Sequence, residues 1–274
     1  VAAAVLGDPM AVEFVPTTGK TRFTSLASGE IDMLARNTTW TFSRDVDLKF
    51  TFVGVNYYDG QGFMARKDLG VSSASELDGA TVCIQTGTTT ELNLADFFRS
   101  NNISYEPVPV ETNSEAQIQY VAGACDVYTT DASGLASTRA SLEDPAAHVV
   151  LPEIISKEPL GPLVRHGDNN WGDVVRWTLN ALITAEELGV SSVNMAEMAA
   201  GTNNPEINRL LGTEKSLGAQ LGLSADWAKN AISAGGNYGE LFENNIGEST
   251  PLGISRGLNA QWTDGGLIYS PPFR

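Results

Sequence analysis

Apolar positions along this chain come in short runs broken by Gly, Asn and Asp turns, a pattern of strands alternating with helices. Residues 12–15 (VEFV) predict a strand. Residues 21–28 predict a helix with Phe23, Leu26 and Ala27 on one face. After the turn signal Ser28-Gly29, the run Ile31, Met33, Leu34, Ala35 predicts a strand covered on both faces. Residues 49–58 (KFTFVGVNYY) are β-branched and aromatic and predict another, and 60–66 (GQGFMAR) the next. Ser73-Ala74-Ser75-Glu76 carries a helix-start signature, and Asp78-Gly79 a turn. A second α/β unit then begins. It has a strand at 81–85, a helix to Ser100 with Leu92, Leu94, Ala95 and Phe98 inward, and a strand at 105–110. A helix at 114–122 stopped by Gly123, a strand at 126–130, and strands within 146–151 and 160–165 complete it. From Trp171 the periodicity is helical: 171–188, 192–199, 206–211, 225–234 and 238–246, punctuated by Pro205, Gly212, Gly222 and Gly235-Gly236. Residues 259–274, aromatic and rich in Gly and Pro, predict an irregular strap.

Two passages share one rhythm. In SLASGEIDMLA (25–35) and YVAGACDVY (120–128) a helix ends on Gly, an Asp follows three residues on (Asp32, Asp126), and an apolar run comes next. Two lobes built on parallel sheets are the expectation. Residues 1–7 (VAAAVLG) read as the last turns of a helix with Gly7 at C′ and Pro9 beyond, so the chain is expected to be cut from something longer.

Length and composition narrow the class. The 274 residues carry 42% apolar and 18% charged side chains, enough for one large core or two modest ones. A net charge of −16 and the lack of Lys/Arg clusters argue against nucleic acid and against anionic membrane surfaces. No apolar run approaches a membrane span. With two Cys and two His, a Cys/His zinc site has no support. Cys83 and Cys125 fit one disulfide in a secreted protein, and two buried thiols almost as well.

Three polar clusters are candidates for chemistry. Arg36, Asn37, Thr38, Thr39, Thr41, Ser43 and Arg44 follow the expected strand at 31–35; they form a surface loop or, at a strand's carboxyl end, an anion site with the Arg44 fork at its edge. Gly87-Thr88-Thr89-Thr90-Glu91 joins a strand to a helix. It is either plain capping, with Thr88 as N-cap and Glu91 as its partner, or a helix N-terminus offered to a negative group. Asp131 ends a strand after Thr129-Thr130, as a loop acid, an N-cap, or a partner for an ammonium. Together a cation, donors and an anion match an amino-acid zwitterion, with its carboxylate on Arg44 and its ammonium on Asp131.

The segments SGEIDMLARNTTWTFSRD, FVGVNYYDGQGFMARKDL, VCIQTGTTTELNLADFF and GACDVYTTDASGL, with the tail GLNAQWTDGGLIYSPPFR, resemble the periplasmic amino-acid-binding proteins of ABC importers, nearest the general L-amino acid branch. The resemblance implies an α/β periplasmic-binding-protein fold of the class II-like type with two lobes, 1–61 with 165–274 and 62–164, and a helical C-terminal extension. It implies hinge passages near 59–65 and 158–165, and a ligand captured in the cleft between lobes. It places ligand contacts on Asn37, Thr39, Arg44, Gly87, Thr88, Thr89 and Asp131, and a disulfide between Cys83 and Cys125. It implies an L-amino acid ligand, permease subunits as partners, a periplasmic location, no cofactor and no catalysis. The alternatives are a dehydratase of cyclic acids on the same scaffold, which would have only Asp131 and Glu91 as acid–base groups, and a ligand-sensing domain. Gly60-x-Gly62-x-x-Ala65 loosely matches a dinucleotide fingerprint but is followed by no helix pattern.

Overall fold

The computed structural model describes residues 1–214 and 217–274. In chain order its helices are α1 (Ala2–Leu6), α2 (Arg22–Ser28), α3 (Thr89–Ser100), α4 (Asn113–Val121), α5 (Ala132–Ser141), α6 (Asn169–Glu187), α7 (Met195–Gly201), α8 (Pro205–Leu210), α9 (Trp227–Gly235) and α10 (Tyr238–Asn245). Its strands are β1 (Phe50–Phe52), β2 (Tyr57–Asp59), β3 (Gln61–Arg66), β4 (Ala80–Gln85), β5 (Tyr105–Val110), β6 (Val127–Asp131), β7 (His148–Val150), β8 (Glu158–Leu160) and β9 (Leu163–Arg165). The chain forms two compact units. The first holds Val1–Val15, Phe42–Asn56 and Gly161–Arg274; the second holds Pro16–Thr41 and Tyr57–Leu160.

The second unit is built on a five-stranded sheet in the order β5-β4-β6-β3-β7. Strands β5, β4 and β6 run parallel, while β3 is antiparallel to both β6 and β7. Both faces are covered, and the period of two sorts the strand residues between them. Phe63, Ala65, Val82, Ile84 and Val127 pack with Leu94 and Phe98 of α3. Met64, Cys83 and Tyr128 turn the other way, onto Ala116 and Tyr120 of α4 and Leu135 of α5. The helix α3 buries Leu94 and Phe98 as its periodicity requires, but Leu92 and Ala95 face solvent, and Thr90 takes the inward place in the first turn. Cys83 and Cys125 are bonded, with Cα atoms 5.6 Å apart. Cys125 lies just before β6, which pairs with β4 at Cys83↔Tyr128. Asp126 pins the same corner by accepting from Thr81 N (3.0 Å) and Thr81 Oγ1 (2.7 Å). A separate two-stranded pair, β2 with β8, sets Asp59 opposite Glu158.

The first unit is mainly helical. Strands β1 and β9 form an antiparallel pair. Helices α6, α8 and α9 enclose a core of Ala181, Ala185, Ile207, Leu210, Trp227, Ala228 and Ile232, and α1 adds Ala4 to it. The C-terminal strap is irregular, as its composition predicts. Phe273 docks against Trp177 and Trp227, with ring centroids 5.0 and 6.3 Å away, and Arg209 Nε holds its carbonyl at 2.7 Å. Arg256 makes a two-point ion pair with Glu186 at 2.8 and 3.2 Å, which Gln261 joins at 2.9 Å.

Two expected strands do not form. Residues 12–15 are irregular, and Phe14 is 82% exposed. Residues 31–35 give a single bridge position at Leu34, which is buried; Ile31 and Met33 are half-buried and Ala35 is exposed. A run that buries one residue in five gains too little from desolvation to hold the ladder of a central strand. The expected strand 49–58 is split into β1 and β2, the break falling at Gly54, whose φ of 157° lies outside the usual strand region. Ser43 and Arg44, expected at the end of a polar loop, instead open one wide helical turn over residues 43–47, closed by Leu48 N to Ser43 O at 2.9 Å.

Candidate functional site

Strand β6 ends on Asp131, and burial decides the chemistry there. Asp131 is 5% exposed. Loss of hydration pushes its carboxyl up to about 7 from the ordinary 3.8; the hydrogen bond from Asn37 opposes the rise, the charges of Asp59 and Glu158 add to it, and Arg22 opposes it. Asn37 Nδ2 donates to Asp131 Oδ2 at 2.7 Å. The segment carrying Asn37 is itself held by guanidinium groups. Arg22 Nη1 donates to Asn37 O (3.0 Å) and to Thr38 Oγ1 (3.2 Å), and Arg36 Nη1 donates to Thr17 O (2.7 Å). Desolvation lowers the Arg36 pKa, and the charge of Asp131 opposes that fall.

Thr39 follows on the same segment and bridges to Leu160 of β8. Its hydroxyl lies 3.2 Å from the hydroxyl of Thr89 at the start of α3. Glu158, 1% exposed, accepts from both hydroxyls, from Asn93 Nδ2 (2.8 Å) and from Ser156 Oγ (2.7 Å). Asp59, opposite Glu158 on β2, accepts from Gly60 N at 2.8 Å and from the hydroxyl of Ser133; burial, more than any neighbour, raises its pKa. Burial, and then the charges of Asp59 and Asp131, push the Tyr57 phenol upward.

The turn between β4 and α3 is a working helix cap. Thr88 Oγ1 donates to Gln85 O (2.7 Å) and accepts from Glu91 N (3.3 Å), while Gly87 N donates to Glu91 Oε2 (3.0 Å). Gly87 has φ +72°, and a Cβ there would stand 3.1 Å from Lys20 Cγ, so the position suits Gly on both counts. The cap and the dipole leave the first turn of α3, Thr89 included, electropositive.

Six of the seven residues expected to touch ligand thus lie in one unit. Asn37 meets Asp131, Thr39 meets Thr89, and Gly87 and Thr88 frame the turn that presents Thr89. Arg44 belongs to the other unit, buried within the wide turn at 43–47. Sequence reading missed Asp59, Glu158, Asn93 and Ser133. Asp59 and Glu158 enter that reading only as the first residues of the two expected hinge passages, until the β2–β8 pairing sets them side by side.

Donors and acceptors gathered around buried carboxylates, at the strand ends of an α/β unit, suit the recognition of a small polar molecule. The chain belongs to the bacterial extracellular solute-binding proteins, family 3, which it matches over residues 2–191. It is 68% identical over 274 residues to the glutamate/glutamine/aspartate/asparagine-binding protein BztA of Rhodobacter capsulatus, covering 100% of this chain and 81% of that protein. It is 58% identical over 276 residues to the general L-amino acid-binding periplasmic protein AapJ of Rhizobium johnstonii, with 100% and 81% covered. Among solved structures, an ABC transporter periplasmic binding protein from Brucella ovis with glutathione bound superposes with a TM-score of 0.97 at 54% identity, covering 100% of this chain and 86% of that one. The chain therefore sits in a family of binding proteins rather than enzymes, and the dehydratase alternative is not favoured. Among the described residues no helix is long and apolar enough to cross a membrane.

Proposed function

We propose that this protein captures L-amino acids in the periplasm and delivers them to the permease of an ABC importer. The observation that carries the reading is Asp131: a buried carboxylate at a strand end, beside Asn37 and within reach of the charges of Asp59 and Glu158. An ammonium group is the natural partner for that excess of negative charge. In this reading Asp131 takes the α-ammonium and Arg44 takes the α-carboxylate. Gly87 and Thr88 shape the turn whose Thr89 amide adds a donor to the carboxylate, and Asn37 and Thr39 line the ammonium side. The name of the Rhodobacter capsulatus relative supports acidic amino acids and their amides as ligands, and that of the Rhizobium johnstonii relative L-amino acids in general. Glutathione is a second reading, favoured by the Brucella ovis structure.

The test is thermal unfolding of this chain with L-glutamate, L-glutamine, L-aspartate, other L-amino acids and glutathione. A ligand that binds only the folded state raises the midpoint as its concentration passes Kd. Shifts with several L-amino acids support the reading, and a shift with glutathione alone replaces it with the second. No shift with any of them refutes both.

A further inference from the structure

Glu158 is the most completely bonded acid near Asp131. Its two oxygens collect donors from three segments of the second unit: Asn93 and Ser156 on Oε1, Thr39 and Thr89 on Oε2. A carboxylate only accepts, so the direction of all four bonds is fixed. Each threonine hydroxyl owns one proton. Thr39 gives its proton to Oε2, and Thr89 has Oε2 at 3.1 Å and Thr39 Oγ1 at 3.2 Å as its acceptors, so neither proton is left to point elsewhere. Any further bond these hydroxyls make is one that they accept. An ammonium group only donates, and a carboxylate only accepts. The hydroxyl pair is therefore set to receive N–H groups and to disfavour a carboxylate.

The pair is linked to Asp131 through bonded neighbours. Asn37, two residues before Thr39, donates to Asp131. Gln61, opposite Asp131 in the β3–β6 register, donates to the carbonyl of Thr90, the residue after Thr89. Asp59, opposite Glu158, accepts from Ser133, two residues after Asp131. We infer that Glu158 is a positioning residue for ammonium recognition: it draws the hydroxyl protons of Thr39 and Thr89 onto itself and so turns that pair into acceptors for the ligand amine beside Asp131. The inference rests on the amino-acid reading above. It also explains why four donors converge on an acid that stands one residue from a proline in a three-residue strand.

The experiment is a mutant cycle on the full chain, with L-glutamate affinity read by calorimetry and folding checked by thermal unfolding. Glu158→Gln keeps the shape but removes the charge, and whichever way its amide faces, the hydroxyl protons meet a weaker acceptor or none. The expected loss in the wild-type background is roughly ten- to a hundredfold, the range of a charge-assisted hydrogen bond. In a Thr39→Val/Thr89→Val background, which has no hydroxyls to orient, the same change should cost less than about twofold. Equal losses in both backgrounds, or none in the wild type, overturn the inference, because a plain structural brace does not depend on those hydroxyls. Ser156→Ala keeps the test alive if Glu158→Gln does not fold. It strips a donor from Oε1 while leaving both hydroxyls on Oε2, and should hold affinity within about threefold. A larger loss overturns the inference. Failure of the wild-type chain to bind any amino acid refutes the underlying reading and this inference with it, and is visible before any variant is made.

Discussion

The sharpest prediction concerns pH. If Asp131 takes the ligand ammonium, only its ionised form binds well, and burial has moved its titration to about 7 in the ligand-free protein. The apparent Kd then scales as the inverse of the ionised fraction. Relative to high pH, Kd should rise about 1.1-fold at pH 8, about 11-fold at pH 6 and about 100-fold at pH 5. A carboxyl left at its ordinary value would change Kd by less than about a tenth over that whole range. The groups around Asp131 are Asp59 and Glu158, which raise its pKa, and Asn37 and Arg22, which lower it. Arg36 and Tyr57 also feel its charge. Calorimetry with L-glutamate between pH 5 and 8 measures the slope directly. Stability runs the other way. An acid whose folded pKa is raised stabilises the fold below its unfolded pKa, and that contribution is lost as pH rises through the folded one, here between about 4 and 7. His148, whose pKa burial lowers, acts in the opposite direction, so the comparison is wild type against Asp131→Asn. The substituted amide can still accept from Asn37, and the variant should gain on the wild type in ligand-free melting temperature from pH 5 to 8. A flat affinity across this range would refute the assignment of the ammonium to Asp131.

Other outcomes follow from the same assignments. Arg44→Ala should weaken amino-acid binding by about a hundredfold or more, since the carboxylate loses a charge-assisted fork; calorimetry showing wild-type affinity would remove Arg44 from the site. Replacing both Cys83 and Cys125 with Ser opens a loop of sequence separation 42. Chain entropy then predicts a loss of about 4 kcal/mol in denaturant unfolding, with reductant destabilising the wild type and leaving the variant unchanged. Thr88→Ala should cost about 1 kcal/mol of stability as a lost N-cap. Its ligand affinity should stay within about twofold, because the cap uses the side chain while the presented group is Thr89.

Much of the second unit was legible in the sequence because its elements obey local rules. TVCIQ is apolar and β-branched on both faces and became β4; Thr88 with Glu91 marked the start of α3; Gly123 marked the end of α4. Of the residues expected at a site, Asn37 meets Asp131 and Thr39 meets Thr89, and Thr89 and Asp131 stand where expected, at the start of α3 and the end of β6. Reading failed where pattern and packing parted. SLASGEIDMLA matches YVAGACDVY in rhythm, yet only the second passage runs into a strand. β6 has β4 on one side and β3 on the other to complete its ladders, whereas residues 31–35 bury one side chain.

By itself the sequence determined the class of the chain: an acidic, cation-poor α/β protein with one pairable Cys couple and hydroxyl-rich strand ends. These are properties of residue type and periodicity, which need no partner to be expressed. Only the tertiary structure decided the electrostatics of the site. The β2–β8 pairing sets Asp59 against Glu158, and burial lifts Asp131 to about 7. Four donors drawn from positions as distant as Thr39 and Ser156 fix the protons around Glu158. A pKa and a hydrogen-bond direction depend on desolvation and on neighbours far away in the chain, and no local pattern of residues encodes either.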